Sequence, residues 1–337
     1  MGKGESLTIL DVGHGNAAVL YGPKDVILID AGPGGPFVLE VFEERGITHI
    51  STVIISHADA DHVRGLIALL ASNNVEIDEI RINSDASKDT DLWRSLAYEV
   101  DDHERRGTLK SKTSLTDQDD IQFDSPDVRV EVVAPRTRLV LLGAGNRDAT
   151  GAPIESNTMS AVIRIHVADK PTILLTGDLD RVGLDHLLDA GRDMAAPILV
   201  FPHHGGRVGT NSEAVDNSEF AAKLLSKVQP TDVLFSLGRG VHANPRPEMV
   251  AAVRALGSQV RVACTQLSEH CAAEEPSIEP THLLSTAARG RESRRCCAGS
   301  MIVDLDGSIN LSPAAQSHRD FIQDWAPTAM CRQQADI

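Results

Sequence analysis

Four apolar, strand-like runs in this chain end on an aspartate or a histidine. They are Asp25–Asp30, Ser51–Ser56 followed by His57, Thr172–Thr176 followed by Gly177 and Asp178, and Pro197–Phe201 followed by Pro202, His203 and His204. One polar residue after a strand is ordinarily a turn former. Four such endings call for a fold that gathers strand ends along one sheet edge, where side chains of different strands can act together. The Ser51–Ser56 run breaks off into His57-Ala58-Asp59-Ala60-Asp61-His62, four metal-capable side chains within six residues, just before an expected helix over Val63–Ala71. Imidazole nitrogens and carboxylate oxygens held by one turn form a donor set for Zn or Mn. The competing explanation is a helix cap made by Asp59 or Asp61. The three other strand ends weigh toward a metal site.

Periodicity places further strands at Leu7–Val12, Ala17–Tyr21, Val128–Val133, Ser160–His166, Thr231–Leu237, Gln259–Cys264 and Met301–Leu305. Helices are expected over Pro33–Gly46, Asp91–Arg106, Arg181–Ala190, Ser212–Val228 and Pro247–Leu256. Strand and helix alternating in this way indicate a layered α/β protein. The polar stretch 84–125 reads as a surface insertion, 266–299 as irregular, and the tail 313–337 as weakly patterned and partly disordered. Aromatics make up only 3% of the 337 residues, so Val, Ile, Leu and Ala must fill the core, and a base-stacking platform is disfavoured. No apolar run approaches the roughly 20 residues of a membrane span, so no membrane insertion is expected. Five cysteines are too few for a disulfide framework, which points to a reducing, cytoplasmic setting. A net charge of −16 argues against a protein coated in nucleic acid. Carboxylates that bind metal nevertheless add to that sum while sitting in a locally positive site.

The runs LTILDVGHGNAAVLYGPKDVILIDAG, SHADADH, LLTGD and FPHHGG, taken in order, resemble the metallo-β-lactamase superfamily. More narrowly they resemble the hydrolase domain of ComEC-type DNA-uptake competence proteins, in which Asn157-Thr158-Met159-Ser160 matches a further element. The resemblance covers about residues 7–260. It implies a four-layer αββα sandwich carrying one or two divalent metal ions, with residues 1–265 as the hydrolase domain and 266–312 packing on it. Carried over by position, His57 and Asp59 would serve a first metal, Asp61, His62 and His203 a second, and Asp178 would bridge. His204 would be an alternative ligand or a substrate contact, and Asp30 would orient the histidines from behind.

Two departures accompany the match. Asp59 stands where the wider superfamily has histidine, which hardens the site and moves preference from Zn toward Mn or Mg. The histidine expected just before Ser160 is missing, with Ser156 and Asn157 in its neighbourhood. Relatives of the competence type also carry His-Pro where this chain has Asn244-Pro245, and His242 is a candidate substitute.

Such a centre activates water and clamps the oxygens of an in-line displacement, with Asp61 or Asp178 taking the proton. Arg207, Arg239 and Arg246 are candidate clamps for a phosphoryl substrate. The expectation is a metal-dependent phosphodiesterase or nuclease. The alternatives are a hydrolase of small esters, thioesters or lactams, and a non-catalytic interaction module on the same fold. Cys264, Cys271, Cys296 and Cys297, with Arg289, Arg291, Arg294 and Arg295 nearby, leave open a zinc knuckle, a redox pair or plain reduced thiols.

Overall fold

The computed structural model describes residues 4–72, 74–85, 87–209, 213–277, 280–306 and 309–332. Its first sheet contains β1 (Ser6–Ile9), β2 (Ala17–Tyr21), β3 (Val26–Ala31), β4 (His49–Ile55), β5 (Glu76–Ile82) and β6 (Lys110–Lys112). Its second contains β7 (Asp120–Ile121), β8 (Val128–Ala134), β9 (Val162–Val167), β10 (Lys170–Leu175), β11 (Ile198–Val200), β12 (Asp232–Phe235) and β13 (Arg261–Cys264). The chain then returns to the first sheet through β14 (Met301–Asp304) and β15 (Asn310–Ser312). The strand orders are 15-14-1-2-3-4-5-6 and 13-12-11-10-9-8-7.

Both sheets follow one plan. Strands β1 to β3 pair antiparallel and β3 to β6 parallel. In the second sheet β7 to β10 pair antiparallel and β10 to β13 parallel. Parallel strands, covered on both faces, read as continuous apolar runs, and β3 shows why. Its Ile27 and Ile29 enter the core between the sheets, while Val26 and Leu28 face the outer helices. Helices α1 (Phe37–Arg45), α2 (Ala60–Ser72) and α3 (Asp91–Arg106) cover the first sheet. A short α4 (Thr137–Leu142) follows β8, and α5 (Arg181–Asp189), α6 (Ala214–Val228), α7 (Pro247–Arg254) and α8 (Ala315–Trp325) cover the second sheet. The result is the four-layer αββα sandwich.

Three segments depart from the expectations. Strand β5 was not anticipated, because Glu76, Asp78, Glu79 and Arg81 interrupt it and only Ile77, Ile80 and Ile82 are buried. The stretch 84–125 is more than a surface insertion: β6 extends the first sheet, β7 the second, and Leu115 and Ile121 enter the core between them. The tail does not begin as weakly patterned chain. Residues Ala315–Trp325 form α8, which buries Phe321 and Ile322 against the second sheet's helices, while 333–337 lie outside the described residues. No helix among the described residues is long and apolar enough to cross a membrane.

Candidate metal centre

The expected strand ends meet. Strand β3 delivers Asp30, β4 leads through Ser56 to His57, and α2 opens with Asp61 and His62 in its first turn. Beyond β10 the chain turns at Gly177 to present Asp178. Gly177 has φ +52°, and a Cβ there would lie 2.8 Å from both Ser160 Oγ and Ser56 Cβ, so the turn requires glycine. After β11 the tight turn Pro202–Gly205 carries His203 and His204, both left-handed (φ 52° and 56°). Asp30 is left-handed as well, at φ 56°. Non-glycine residues held in this region concentrate at functional sites.

The ligand atoms of Asp61, His62, Asp178 and His204 all lie within 4.8 Å of one another. His62 Nε2 is 3.2 Å from Asp178 Oδ1, and His204 Nε2 is 3.2 Å from Asp61 Oδ2 and 3.7 Å from Asp178 Oδ1. A looser group faces the other carboxylate oxygen. His57 Nε2 lies 3.6 Å from Asp59 Oδ2 and 3.8 Å from Asp178 Oδ2, and His203 Nε2 lies 4.0 Å from Asp178 Oδ2. Asp178 thus stands between two donor groups. The turn at residues 203–204 assigns the histidines differently from the expectation. His204, buried, joins Asp61 and His62, whereas the half-exposed His203 sits on the His57 side.

The donor set fits a divalent cation. His57 Nε2, His62 Nε2 and Asp178 Oδ1 are buried without a hydrogen-bond partner, which would be costly unless a cation satisfied them. Their far sides are anchored. Asp30 Oδ2 lies 2.7 Å from His62 Nδ1, and Asp30 also accepts from the Ser56 N–H (2.7 Å) and Ser56 Oγ (2.8 Å). His204 Nδ1 lies 2.7 Å from the Ser236 carbonyl, which can only accept, so Nδ1 carries a proton and Nε2 is the nitrogen that faces the cluster. Ser160 Oγ accepts from the Asp178 N–H at 2.9 Å and lies 3.3 Å from His57 Nδ1.

The charges are mutually supporting. Burial works to raise the Asp178 carboxyl, but the His62 and His204 imidazoles hold it well below the usual carboxylate range. Burial likewise opposes ionisation of Asp61, and the hydrogen bond to His204 with the charge of His62 keeps it low. Asp59 is held at about 2, burial being outweighed by His57 and by Lys88, which pairs with it. His62 is raised well above the ordinary imidazole value: burial opposes the charge, and Asp178 and Asp30 outweigh it.

Two residues of the centre escaped the sequence reading. His14 Nε2 lies 3.5 Å from Asp61 Oδ2, its ring is 4.5 Å from that of His204, and burial with the His204 charge lowers its pKa to about 4. Its signal was present, since it follows the Leu7–Val12 run, but Gly13 and Gly15 marked the spot as a turn. Lys88 left no signal.

A cleft of about 280 Å³ beside the centre is lined by His14, Asn157, His203, Arg207, Asn244 and Arg246. His242 also borders it, its ring 4.6 Å from His14. Arg207 is exposed, and the buried Arg246 Nε has no hydrogen-bond partner. Arg239, expected as a clamp, is engaged elsewhere. Its guanidinium donates to the carbonyls of Leu267 (2.9 Å), Ala272 (2.8 Å) and Ala273 (2.9 Å). The cysteines are all free thiols, and among the described residues they join no group of three metal-capable side chains.

A two-sheet sandwich with a His/Asp cluster at the carboxyl ends of its parallel strands defines a metal-dependent hydrolase scaffold. The family model described as the metallo-beta-lactamase superfamily matches residues 10–238, more than half of the chain, and the protein belongs to that superfamily. It is similar to solved structures at low identity. With the metallo-beta-lactamase fold protein YhfI from Bacillus subtilis it shares 12% identity, covering 77% of this chain and 96% of that one, at a TM-score of 0.47. With Zn(2+)-bound PqqB from Methylobacterium extorquens the values are 14%, 77%, 97% and 0.46. With Igni18, a metallo hydrolase from Ignicoccus hospitalis, they are 14%, 78%, 97% and 0.43. No curated protein matches the chain.

Proposed function

We propose that this protein is a metal-dependent phosphodiesterase, of nuclease type, in the competence-related branch of the superfamily and acting in the cytoplasm. The observation that carries the reading is the cleft in which His203, a member of the looser donor group, adjoins Arg207 and Arg246. Guanidinium groups beside a cation site suit a substrate whose charge grows on phosphoryl oxygens. The branch rests on the order of LDVGHGNA, HADADH, TGD and HHGG in the sequence.

Asp61, His62, Asp178 and His204 would hold one divalent ion, and His57, Asp59, Asp178 and His203 a second. Bound there, such ions lower the pKa of water and polarise a phosphoryl oxygen. The chain's own groups do the rest. Asp30 and the Ser236 carbonyl fix which nitrogens of His62 and His204 face inward. Asp61 or Asp178 would be the acceptor for the proton that leaves the attacking water. Arg207 and Arg246 orient the phosphate oxygens. Asn157, 3.5 Å from His203 Nδ1, steadies that ring.

The test is metal content by mass spectrometry, beside cleavage of single-stranded DNA and bis-p-nitrophenyl phosphate with added Mn. The wild type should hold metal and cleave, and Asp61→Ala should lose both. Bound metal with no cleavage of either substrate would turn the reading to small esters, thioesters and lactams. No metal at all would leave the interaction module.

A further inference from the structure

A wider recess of about 780 Å³ shares His14 and His242 with this cleft and is lined by Asp61 of the metal centre as well. Its lining also carries Arg64, Arg239, Arg289 and Arg295. In a chain of net charge −16 such a gathering of guanidinium groups is not explained by composition. Two of them have other work. Arg239 holds the carbonyls described above, and Arg295 Nε lies 2.6 Å from Glu275 Oε1. Arg64 and Arg289 are exposed and converge on one loop. The Arg64 stem lies so close to Gly34 that a Cβ there would be 2.5 Å from Arg64 Cδ, and Arg289 Nη1 donates to the Gly34 carbonyl at 3.5 Å.

Arg289 belongs to a segment beyond residues 10–238, which match the family model, yet it is fastened to the site. Asp11, wholly buried, does the fastening. Its backbone carbonyl accepts from the Arg289 N–H (2.8 Å), and its Oδ2 accepts from the Gly290 N–H (3.0 Å). Its Oδ1 takes the Gly13 N–H (3.1 Å) and Gln266 Nε2 (2.8 Å). One carboxylate therefore fixes the loop bearing His14 and the segment bearing Arg289 together. A buried charge is costly unless its hydrogen bonds are made, and here they set the wall of the recess.

We infer that this recess binds a second oxyanion of the substrate, a phosphate adjoining the phosphodiester to be cleaved, held between Arg64 and Arg289. The inference rests on the phosphodiesterase reading for the identity of the substrate. Planar guanidinium forks match phosphate oxygens two at a time, and a pair of them selects for a further negative group.

The test titrates inorganic phosphate into the metal-loaded protein calorimetrically, for the wild type, Arg64→Gln/Arg289→Gln and Arg64→Lys/Arg289→Lys. A phosphate-binding phase weakened at least tenfold in the Gln variant, and partly kept in the Lys variant, is expected. Identical titrations of wild type and Gln variant would overturn the inference. A kinetic arm compares a dinucleotide carrying a terminal phosphate with the same dinucleotide lacking it. The Gln variant should erase at least tenfold of the KM advantage of the phosphorylated form, and an unchanged ratio overturns the inference. The two readings fail separately. A wild type that cleaves no phosphodiester yet binds phosphate through these arginines sinks the reaction and keeps the recess. Cleavage with variant-independent binding does the opposite.

Discussion

At the scale of the residue, the centre is governed by which atom of each imidazole faces inward. Asp30 receives His62 and both donors of Ser56, so Asp30→Asn keeps the shape but replaces one acceptor oxygen by a donor facing them. Losing such an outer partner ordinarily costs about 10–100-fold in metal affinity. We expect a drop in that range with a folded far-UV spectrum, measured by competition with a chromogenic chelator; unchanged affinity would show that Asp30 orients nothing. The two adjacent histidines should also separate. His204→Ala should strip the tighter site, whereas His203→Ala should leave that site loaded, as metal-to-protein ratios after dialysis would show. Metal binding is further linked to protons. Burial opposes the charge on His62, but Asp178 and Asp30 outweigh it and raise its folded pKa, so the metal-free imidazole holds its proton more tightly than a free one and a metal ligand must release it. Apparent affinity should therefore rise with pH, by about tenfold per unit for each proton released while the group remains mostly protonated. Calorimetry in buffers of different ionisation enthalpy would report the proton count, and a count of zero at pH 7 would contradict the assignment.

At the scale of the element, the close approach of α2 to β3 sets where Asp61 and His62 stand. Gly65 allows it: its N–H donates to the Gly32 carbonyl at 3.2 Å, and a Cβ would fall 1.8 Å from the Ala31 carbonyl oxygen. Gly65→Ala must push the helix off the strand, an overpacking cost of about 1–3 kcal/mol. We expect that loss in urea unfolding together with weaker metal binding, since the first turn moves with the helix. Destabilisation with undiminished metal affinity would show the turn to be held independently. Elements of this kind are also where the chain was most legible. Strands β3, β4 and β10 are buried on both faces, so their apolar runs and the Asp or His that ends each one stand out. Strand β5 alternates with charge and was invisible to the same rule. The division of labour between His203 and His204 was illegible because it depends on two left-handed backbone residues, and no side-chain pattern encodes them.

At the scale of the molecule, the chain's last part closes both halves of the sandwich. Strand β14 pairs with β1, and α8 then crosses to the second sheet, where Arg261 at the start of β13 donates to the Leu311 (3.3 Å) and Pro313 (2.6 Å) carbonyls. The metal ligands follow the carboxyl ends of the parallel strands, whereas Arg261 opens β13 at its amino end, so α8 docks toward the opposite edge. That separation predicts independence. Phe321, 6% exposed, packs into the cluster formed by the second sheet and its helices, with His282 stacked on its ring at 4.4 Å. Phe321→Ala removes a large buried ring, a change that costs about 3–5 kcal/mol in well-packed cores. The expected result is a lower urea midpoint, with metal content per folded molecule and catalytic rate both at wild-type values. Sites that share no contacts ordinarily add in this way. Metal lost in proportion to stability would instead mean that the helix at the chain's end and the cluster at the strand ends form one cooperative unit, coupled through the second sheet.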